Sequence, residues 1–521
     1  MCLEPEGLSN PVATCAKFAP NPQVGNLHPC SASILQHVIG PVSLKHPALA
    51  LLLAVVFTLA SHTPWAETPL PDLGGAESTV LSPAQEQALQ GQILRQIRAT
   101  LPVLDDAEVS AYIRAIGNRL LASAPDARGR FRFVVLKDPA INAFAAPGGV
   151  IAVNSGLILS SHDESELAGV MAHEISHVTQ RHLARSYARE GGLSLKTGLA
   201  LLAGLIIGAY NPDAGAAAAL SGMAASQQER LTYSRQNEQE ADRIGVKVMA
   251  NAGYDPTGMP RFFHTLARQS GQQGGKLIEY LQTHPLTQSR LADTEARARQ
   301  LASGHRLETD RPEFAYLKAR VRVLTGNAAE RAERLATLAR KRTLTPLESY
   351  EYGLALVARN KASRAIAPLR HALESGAPSM PVRLALAEAL LEAGKAERAE
   401  RILERLRSLH PTSPAVRRLL ARTLMERGKN DKALELLFAG MSRDDADPED
   451  LRLLSVAAGR LHRRALAREA MAERYFALGR YDEALQQIRL ALQEEDADEV
   501  TRGRLLRKRA QLQTWLSSEQ E

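Results

Sequence analysis

The chain has 521 residues, and its 64 Lys and Arg residues against 57 Asp and Glu residues give a formal net charge of +7. A chain of this length predicts two or three domains. The charge is small for the length and is spread along the sequence, so it fits solubility and attraction to anionic surfaces. It argues against a dedicated nucleic-acid-binding surface.

The first predicted element is an apolar run over residues 48–60, which follows a short basic segment. It is too short for a membrane span, which needs about 20 residues, but it suits the core of a signal peptide. Cleavage is expected after Ala60 or Ala66. We interpret residues 1–66 as an over-called start, with translation beginning near residues 42–44, followed by the signal peptide.

All three cysteines, Cys2, Cys15 and Cys30, lie in this N-terminal region. The mature chain is therefore expected to lack cysteine, so it gains nothing from disulfides and tolerates an oxidising compartment. For the same reason the cysteines give no zinc-finger signal.

Two strands are predicted next. Residues 131–136 alternate in polarity and are rich in β-forming residues, and residues 148–153 form a second such run. The segment between them contains a Pro-Gly-Gly sequence, which is typical of a turn.

A single helix is predicted over Leu167–His182. His173 and His177 are four residues apart, so they fall on one helical face and both imidazoles can reach one ion. Glu174 is close enough to accept a proton from a water on that ion. This is the H-E-x-x-H arrangement of a zinc hydrolase. The alternative is a helix with two ordinary histidines, so a third ligand is required.

Two apolar segments follow, over residues 193–210 and 214–225, with an Asn-Pro-Asp turn between them. The uninterrupted apolar run over residues 198–210 is short of a membrane span. We predict a buried helical hairpin, or one that touches a membrane or an unfolded protein, so membrane contact is at most peripheral.

The third ligand is predicted in a helix over residues 228–252. Glu238 and Asp242 share a face of this helix, and Glu238 would complete a two-histidine, one-carboxylate site with the fourth position open. Asp242 would hold the free ring nitrogen of a liganding histidine. Glu240 is the rival ligand, but it lies about 160° from Asp242 around the helix. The alternative is a solvated acidic helix face.

His284 is predicted to lie in a loop, because Pro285 disfavours a helical conformation for the residue before it. Loop histidines are common, so a surface histidine without a role is one interpretation.

From about residue 311 the composition shifts to Ala, Leu, Arg and Glu, and the chain repeats. Gly326, Asn360, Gly394 and Gly428 are 34 residues apart, and Gly479 follows 51 residues later. A 34-residue period with Gly at the turn is typical of tetratricopeptide helix pairs, which stack into a solenoid that binds peptides or proteins. The alternative, a generic helical bundle, does not predict equal spacings.

Together these motifs resemble the zinc peptidases that include HtpX and the CAAX prenyl proteases. H-E-x-x-H is followed by S-R-x-x-E-x-x-A-D at residues 234–242, and N-A-F-A-x-P-G-G stands at residues 142–149. A T-H-P segment at residues 283–285, followed by Arg290, completes the resemblance, which covers roughly residues 81–301. With the repeats, the sequence is most similar to the BepA-like periplasmic metalloproteases of Gram-negative bacteria.

The resemblance implies one zinc ion per chain, with His173, His177 and Glu238 as ligands and Glu174 as the catalytic carboxylate. In BepA-like proteins the histidine of the T-H-P loop, here His284, is implied to occupy the open zinc position in the resting enzyme. In related peptidases a histidine near the zinc instead stabilises the transition state.

The same resemblance places the segment that begins with Asn142, Ala143 and Phe144 beside the zinc cleft. Proteases commonly bind an extended peptide along a sheet edge, so these residues are expected to offer an edge strand to the substrate. The alternative is that they belong to a structural hairpin closed by the Pro-Gly-Gly turn.

The predicted fold is mainly α. A zincin-like α+β metalloprotease domain with a small sheet, residues 67–305, precedes an all-α tetratricopeptide solenoid, residues 306–521. The predicted function is a periplasmic zinc endopeptidase that cleaves misfolded or stalled outer-membrane proteins, with chaperone-like binding of clients and the outer-membrane assembly machinery through the repeats. The alternative is a repeat-based scaffold or chaperone with latent peptidase activity.

Overall fold

The computed structural model describes residues 83–124, 127, 129–182, 185, 234–272, 279–303, 311–439 and 446–520. All of them belong to the compact unit Gly74–Glu521. The predicted signal peptide and the apolar hairpin lie outside the described residues. Among the helices in the described ranges, none is both long and apolar enough to span a membrane.

The N-terminal half combines helices with three short strands. Its elements, in chain order, are α1 (Pro83–Thr100), α2 (Ala107–Ala122), β1 (Arg132–Leu136), β2 (Ala143–Ala146), β3 (Val150–Asn154), α3 (Ser155–Ser160), α4 (Glu164–Thr179), α5 (Arg235–Asn251), α6 (Gly258–Gln272), α7 (Glu279–Thr283) and α8 (Gln288–Ala302).

The C-terminal half is described as helices only. They are α9 (Pro312–Thr325), α10 (Ala328–Lys341), α11 (Pro346–Ala358), α12 (Ala362–Glu374), α13 (Ser379–Glu392), α14 (Ala396–Leu409), α15 (Pro414–Glu426), α16 (Asn430–Ala439), α17 (Pro448–Arg460), α18 (Arg464–Ala477), α19 (Tyr481–Gln493) and α20 (Glu499–Gln520). The predicted combination of a small-sheet α+β region and an all-helical repeat region is confirmed.

The sheet has the order β1-β3-β2, with β3 parallel to β1 and antiparallel to β2. Both predicted strands are present, and β2 is an additional edge strand that contains Ala143 and Phe144. Gly148 and Gly149 have φ angles of +77° and +81°, so the Pro-Gly-Gly sequence does form the turn of a β2–β3 hairpin. The segment that contains Ala143 and Phe144 therefore belongs to a structural hairpin and also lies at an edge of the sheet.

Side chains alternate between the two faces of this sheet, as a strand period of two requires. Val134 and Val150 pack on one face against Ile93 and Ile97 of α1. The opposite face packs against α2 and α4, so the sheet is covered on both sides. This sandwich fixes α4 directly beside the edge strand β2.

Helix α4 is buried from Glu164 to His177, against β2, α5 and α6. Asp163 caps its N-terminus by accepting a hydrogen bond from the backbone N–H of Glu166 at 2.9 Å. The helix ends at Thr179 and the chain turns at Arg181, whose φ angle is +52°. The predicted helix extended three residues further, to His182.

The repeat helices are joined by turns of one kind. Asn360, Gly394 and Gly428 have φ angles of +57°, +73° and +72°, and in each case the next N–H donates to a carbonyl five residues earlier, which is the Schellman helix end. His462, with φ of +57°, continues the 34-residue spacing, and Gly479 forms the following turn, between α18 and α19. This turn is not apparent from the sequence, because a histidine stands where the other turns have Gly or Asn.

The first repeat helix, α9, contributes to two cores. Phe314, Leu317 and Val321 belong to the core of the sheet-containing half. Ala319 and Val323 belong to the core of the repeats. This helix therefore joins the two halves through apolar packing on both of its sides.

Candidate metal centre

Four buried side chains from three parts of the chain meet between α4 and α5. They are His173 and His177 of α4, Glu238 of α5 and His284, which directly follows α7. Each offers one ligand atom, and these atoms all lie within 4.8 Å of one another. The structure thus brings together the three ligands implied by the family resemblance and the loop histidine.

The distances within the cluster fit a tetrahedral ion. His173 Nε2 lies 2.9 Å from His177 Nε2 and 3.3 Å from His284 Nδ1. Glu238 Oε1 lies 2.9 Å from His284 Nδ1 and 3.3 Å from His177 Nε2. Donor atoms about 2.0–2.1 Å from one tetrahedral ion are about 3.3 Å apart, so the spacing matches.

Each histidine of α4 has its other ring nitrogen engaged on the side away from the cluster. His173 Nδ1 lies 3.0 Å from Asp242 Oδ1, which is the placement predicted for Asp242. His177 Nδ1 lies 2.9 Å from His182 Nδ1. These contacts orient the rings so that both Nε2 atoms face the cluster, which is the usual arrangement around a metal.

His182 links the ring of His177 to Glu240, a partly exposed residue of α5. Its Nε2 lies 3.0 Å from Glu240 Oε2, which also accepts a hydrogen bond from Arg185 at 3.0 Å. Burial lowers the pKa of His182 to about 4, so the ring is neutral and has one N–H to donate. Glu240, the rival ligand, lies outside the cluster and is linked to His177 through His182.

Arg290 neutralises the acidic side of the centre. It donates two hydrogen bonds to Asp242, at 2.8 and 2.9 Å, and its Nη1 lies 2.7 Å from Glu238 Oε2. It also donates to the carbonyl oxygen of Pro285 at 2.7 Å, which fixes the chain next to His284. One buried guanidinium therefore ties α5 to the loop that carries the fourth histidine.

The electrostatics of the cluster favour a cation. Burial opposes protonation of His173, yet the carboxylates of Asp242 and Glu238 raise its pKa to about 10. Burial works against ionisation of Glu238, but His284, His173 and His177 hold its pKa well below the usual range. The carboxylates thus favour a positive charge between them, which a divalent cation provides.

Glu174 is fully buried beside the cluster, and it is not one of the four residues that offer a ligand atom. His284 Nε2 lies 3.6 Å from its Oε1. Burial raises the pKa of Glu174, and the His284 and His173 rings oppose that rise. A buried carboxylate at this distance from the ligand set is suited to accept a proton from a water and to return it.

The edge strand β2 lies beside α4, and its end is in contact with α7. The Asn142 amide donates to Glu279 Oε1 at 2.9 Å. Tyr280 stacks on the ring of His284, with the ring centroids 4.6 Å apart. The segment that carries His284 therefore contacts the same edge that was predicted to receive the substrate.

Sequence reasoning did not assign roles to Arg290, His182 or Tyr280. His182 had a detectable signal, because it lies five residues after His177, at the end of the predicted helix. Arg290 entered only through the family resemblance, and Tyr280 had no spacing signal, because a single aromatic residue in a short helix matches many patterns.

Comparison with known proteins supports this arrangement. Residues 107–298 match the sequence profile of Peptidase family M48, and residues 356–416 and 403–458 match a tetratricopeptide repeat profile. The chain therefore contains a family M48 domain followed by tetratricopeptide repeats, as the sequence analysis predicted.

Several curated proteins are similar to this chain. It is 42% identical to the beta-barrel assembly-enhancing protease of Yersinia pestis over 236 aligned residues. The aligned residues cover 45% of this chain and 48% of that protein. The corresponding protein of Escherichia coli strain K12 is 40% identical over 232 residues, covering 44% and 47%. The mitochondrial metalloendopeptidase OMA1 of Arabidopsis thaliana is 34% identical over 152 residues, covering 29% and 28%. The chain thus spans about half the length of these two bacterial relatives.

Proposed function

We propose that this chain, whose residues 107–298 match Peptidase family M48, is a zinc-dependent endopeptidase that acts in the periplasm. Its substrates are misfolded or stalled outer-membrane proteins, which it holds through the tetratricopeptide repeats before cleavage. The observation that carries the proposal is the buried cluster of His173, His177, Glu238 and His284, with Glu174 beside it.

The donor set supports zinc over magnesium or calcium. Three imidazole nitrogens and one carboxylate oxygen at tetrahedral spacing are typical zinc ligands, whereas magnesium and calcium take oxygen ligands in larger number. His173, His177 and Glu238 would hold the ion. Bound zinc supplies Lewis acidity, which ionises a water near neutral pH and polarises a peptide carbonyl.

The protein's own groups carry the proton transfer. Glu174 accepts the proton of the attacking water and returns it to the leaving amine, so no nucleophilic side chain is needed. Asp242 fixes the ring of His173 from the opposite side, and Arg290 in turn fixes Asp242. The β2 edge next to α4 is where an extended substrate would add as a strand.

His284 closes the resting site in this proposal. Its Nδ1 is part of the ligand cluster and is 2.9 Å from Glu238, so it occupies the position that water and substrate need. The alternative function, a repeat-based scaffold or chaperone with latent peptidase activity, then describes the closed state of the same molecule. Opening requires the His284 ring to leave the ligand cluster.

The cellular assignment rests on relatives. Proteins named beta-barrel assembly-enhancing protease share 40–42% identity with this chain over the aligned residues. Their name supports a role in outer-membrane protein assembly and hence a periplasmic location and protein partners from the assembly machinery. The signal-peptide core predicted at residues 48–60 agrees with this location.

Metal analysis and a cleavage assay on the mature protein test the proposal. We expect one zinc ion per chain and cleavage of casein. Glu174→Gln should keep the zinc but abolish cleavage, because the variant retains the ligands and loses the proton acceptor. Full activity of Glu174→Gln, or retention of zinc after His177→Ala, would reject the proposed chemistry.

A further inference from the structure

A groove of about 530 Å³ lies on the surface of the repeat region, lined by residues of α12, α13 and α14. Its floor is apolar. Leu386 and Leu390 of α13 and Leu406 of α14 are buried beneath it. Leu409, at the end of α14, lines the groove and is 65% exposed, so an apolar surface remains open to a partner.

Arginines surround this apolar floor. They are Arg370 of α12, Arg383 of α13 and three residues of α14, Arg398, Arg401 and Arg405. The spacing of three and four residues puts the α14 arginines on one helical face, in a row about 10 Å long. No acidic side chain is among the described residues that line the groove.

Most of these guanidinium groups are not neutralised by the chain itself. Arg401 pairs with Glu397 at 2.7 Å, but both side chains are more than 60% exposed, so the pair is weak. In the part of the chain that the structure describes, the guanidinium groups of Arg370, Arg398 and Arg405 have neither a hydrogen-bond nor an ion-pair partner. The groove therefore carries a local surplus of positive charge.

Several other arginines of the same repeats are paired with carboxylates. Arg418 binds Asp450 at 2.8 Å, and Arg504 binds Glu469 at 2.7 Å. Arg422 reaches Glu392 across neighbouring repeats at 2.6 Å.

The groove faces away from the sheet-containing half. Glu388 of α13 lies 3.8 Å from Arg320, a residue that also binds Asp106 at the junction of the two halves. Glu388 is two residues from both Leu386 and Leu390, so at 100° per residue it points to the opposite side of α13. The docked half therefore leaves the groove uncovered.

We propose that this groove binds an acidic, extended polypeptide segment in which carboxylates alternate with apolar side chains. Alternate side chains of an extended chain are about 6.6–6.8 Å apart, so two carboxylates fit along the arginine row of α14. The guanidinium fork binds carboxylates in a bidentate manner, and apolar side chains of the segment cover Leu409 and the floor. A concave groove between helices fits one chain better than it fits a flat lipid surface.

This inference goes beyond the proposed peptidase function and does not depend on it, because no residue of the metal centre lines the groove. Binding is therefore measured on the full chain carrying Glu174→Gln, which prevents cleavage of the probe. The probe is a fluorescein-labelled, twelve-residue peptide in which Glu alternates with Leu and Ser. A peptide with Lys in place of Glu is its control.

The test variant is Arg398→Glu with Arg405→Glu, and the matched control is Lys341→Glu with Lys432→Glu. Both double variants change the net charge by the same amount, and the control positions are exposed and lie outside the groove. We expect the groove variant to weaken binding of the Glu peptide at least tenfold and the control less than twofold. Circular dichroism should show the same helix content and melting temperature for both.

Equal weakening by both variants, or equal binding of the Lys peptide, would overturn the proposal in favour of unspecific attraction. Vesicles containing phosphatidylglycerol are tested alongside. If they bind in an Arg398- and Arg405-dependent way while the Glu peptide does not bind, the partner is a lipid surface and the proposal is wrong. Should the charge reversal unfold the protein, Arg398→Gln with Arg405→Gln gives the same comparison with a smaller perturbation.

Discussion

The metal centre and the repeat solenoid are built in different ways. In the centre, side chains up to 111 residues apart in sequence meet, and the buried carboxylate of Asp242 is held by a specific partner, Arg290. In the solenoid, neighbouring helices pack on one another and the same turn recurs every 34 residues. A substitution in the centre is therefore expected to change chemistry, whereas one in the solenoid changes stability by a modest amount.

His284→Ala should give the largest and most informative effect. If the ring closes the resting site, its removal frees the position for water and substrate, and we expect casein cleavage to rise about 100-fold, equivalent to about 2.7 kcal/mol. Zinc content should be unchanged. A transition-state role predicts the opposite sign, a loss of roughly 100- to 1000-fold. An unchanged rate would dismiss both roles.

Asp242→Asn should have the next largest effect, because it weakens the contact that orients His173. We expect zinc affinity or cleavage to fall by roughly 10- to 100-fold. Glu240→Gln should cause a loss of less than about tenfold, since the Glu240 carboxylate is 39% exposed and reaches the centre only at second hand, through the rings of His182 and His177. Zinc titration with a competing chelator ranks the two, and a larger loss for Glu240→Gln would contradict the ligand assignment.

Glu108→Gln probes the junction between the two regions. Burial raises the pKa of Glu108 to about 7, with Asp106 and Glu388 adding to the rise and Arg320 opposing it. A raised folded-state pKa stabilises the fold below the unfolded value of about 4.3, and this contribution is lost as pH rises through 7. The neutral glutamine avoids that loss.

We therefore compare the free energy of unfolding of Glu108→Gln with that of the parent at two pH values. The difference in favour of the variant should be larger at pH 8 than at pH 4 by on the order of 1–3 kcal/mol. Urea unfolding of both proteins at the two pH values measures this gain. A difference that does not change with pH would show that Glu108 is ionised normally in the folded state.

The smallest expected effect lies in the repeat turns. Gly394 has a φ of +73° with open space where a Cβ would stand, so Gly394→Ala costs only the backbone strain, about 1 kcal/mol. Gly459 of α17 also has open space but no positive φ, so Gly459→Ala should stabilise by about 0.5–1 kcal/mol. Thermal unfolding should shift in opposite directions, and shifts of equal sign would contradict the turn assignment.

Sequence predicted the parts of the molecule that rest on short-range periodicity. The histidine spacing placed His173 and His177 on one face of α4, and the four-residue spacing of Glu238 and Asp242 placed both towards the same centre. The 34-residue period predicted the helix pairs. In each case the geometry of a single helix or repeat determines the result, so no knowledge of long-range packing is needed.

The remaining features depend on contacts between distant segments. That Arg290 bridges Asp242, Glu238 and Pro285 follows from how α8 packs on α5, which no local pattern encodes. The short strand β2 was expected only from the family resemblance, because four residues rich in alanine have weak strand propensity and owe their conformation to pairing with β3.

The double membership of α9 makes the peptidase-like half and the repeats one cooperative folding unit. Loss of this helix would strip Phe314, Leu317 and Val321 from the first core and Val323 from the second. Each half on its own would then expose apolar core surface, which promotes aggregation. Amide hydrogen exchange should accordingly find α9 among the slowest segments, opening only when both cores open. Evolutionary exchange of the repeat array for another module would have to preserve this helix.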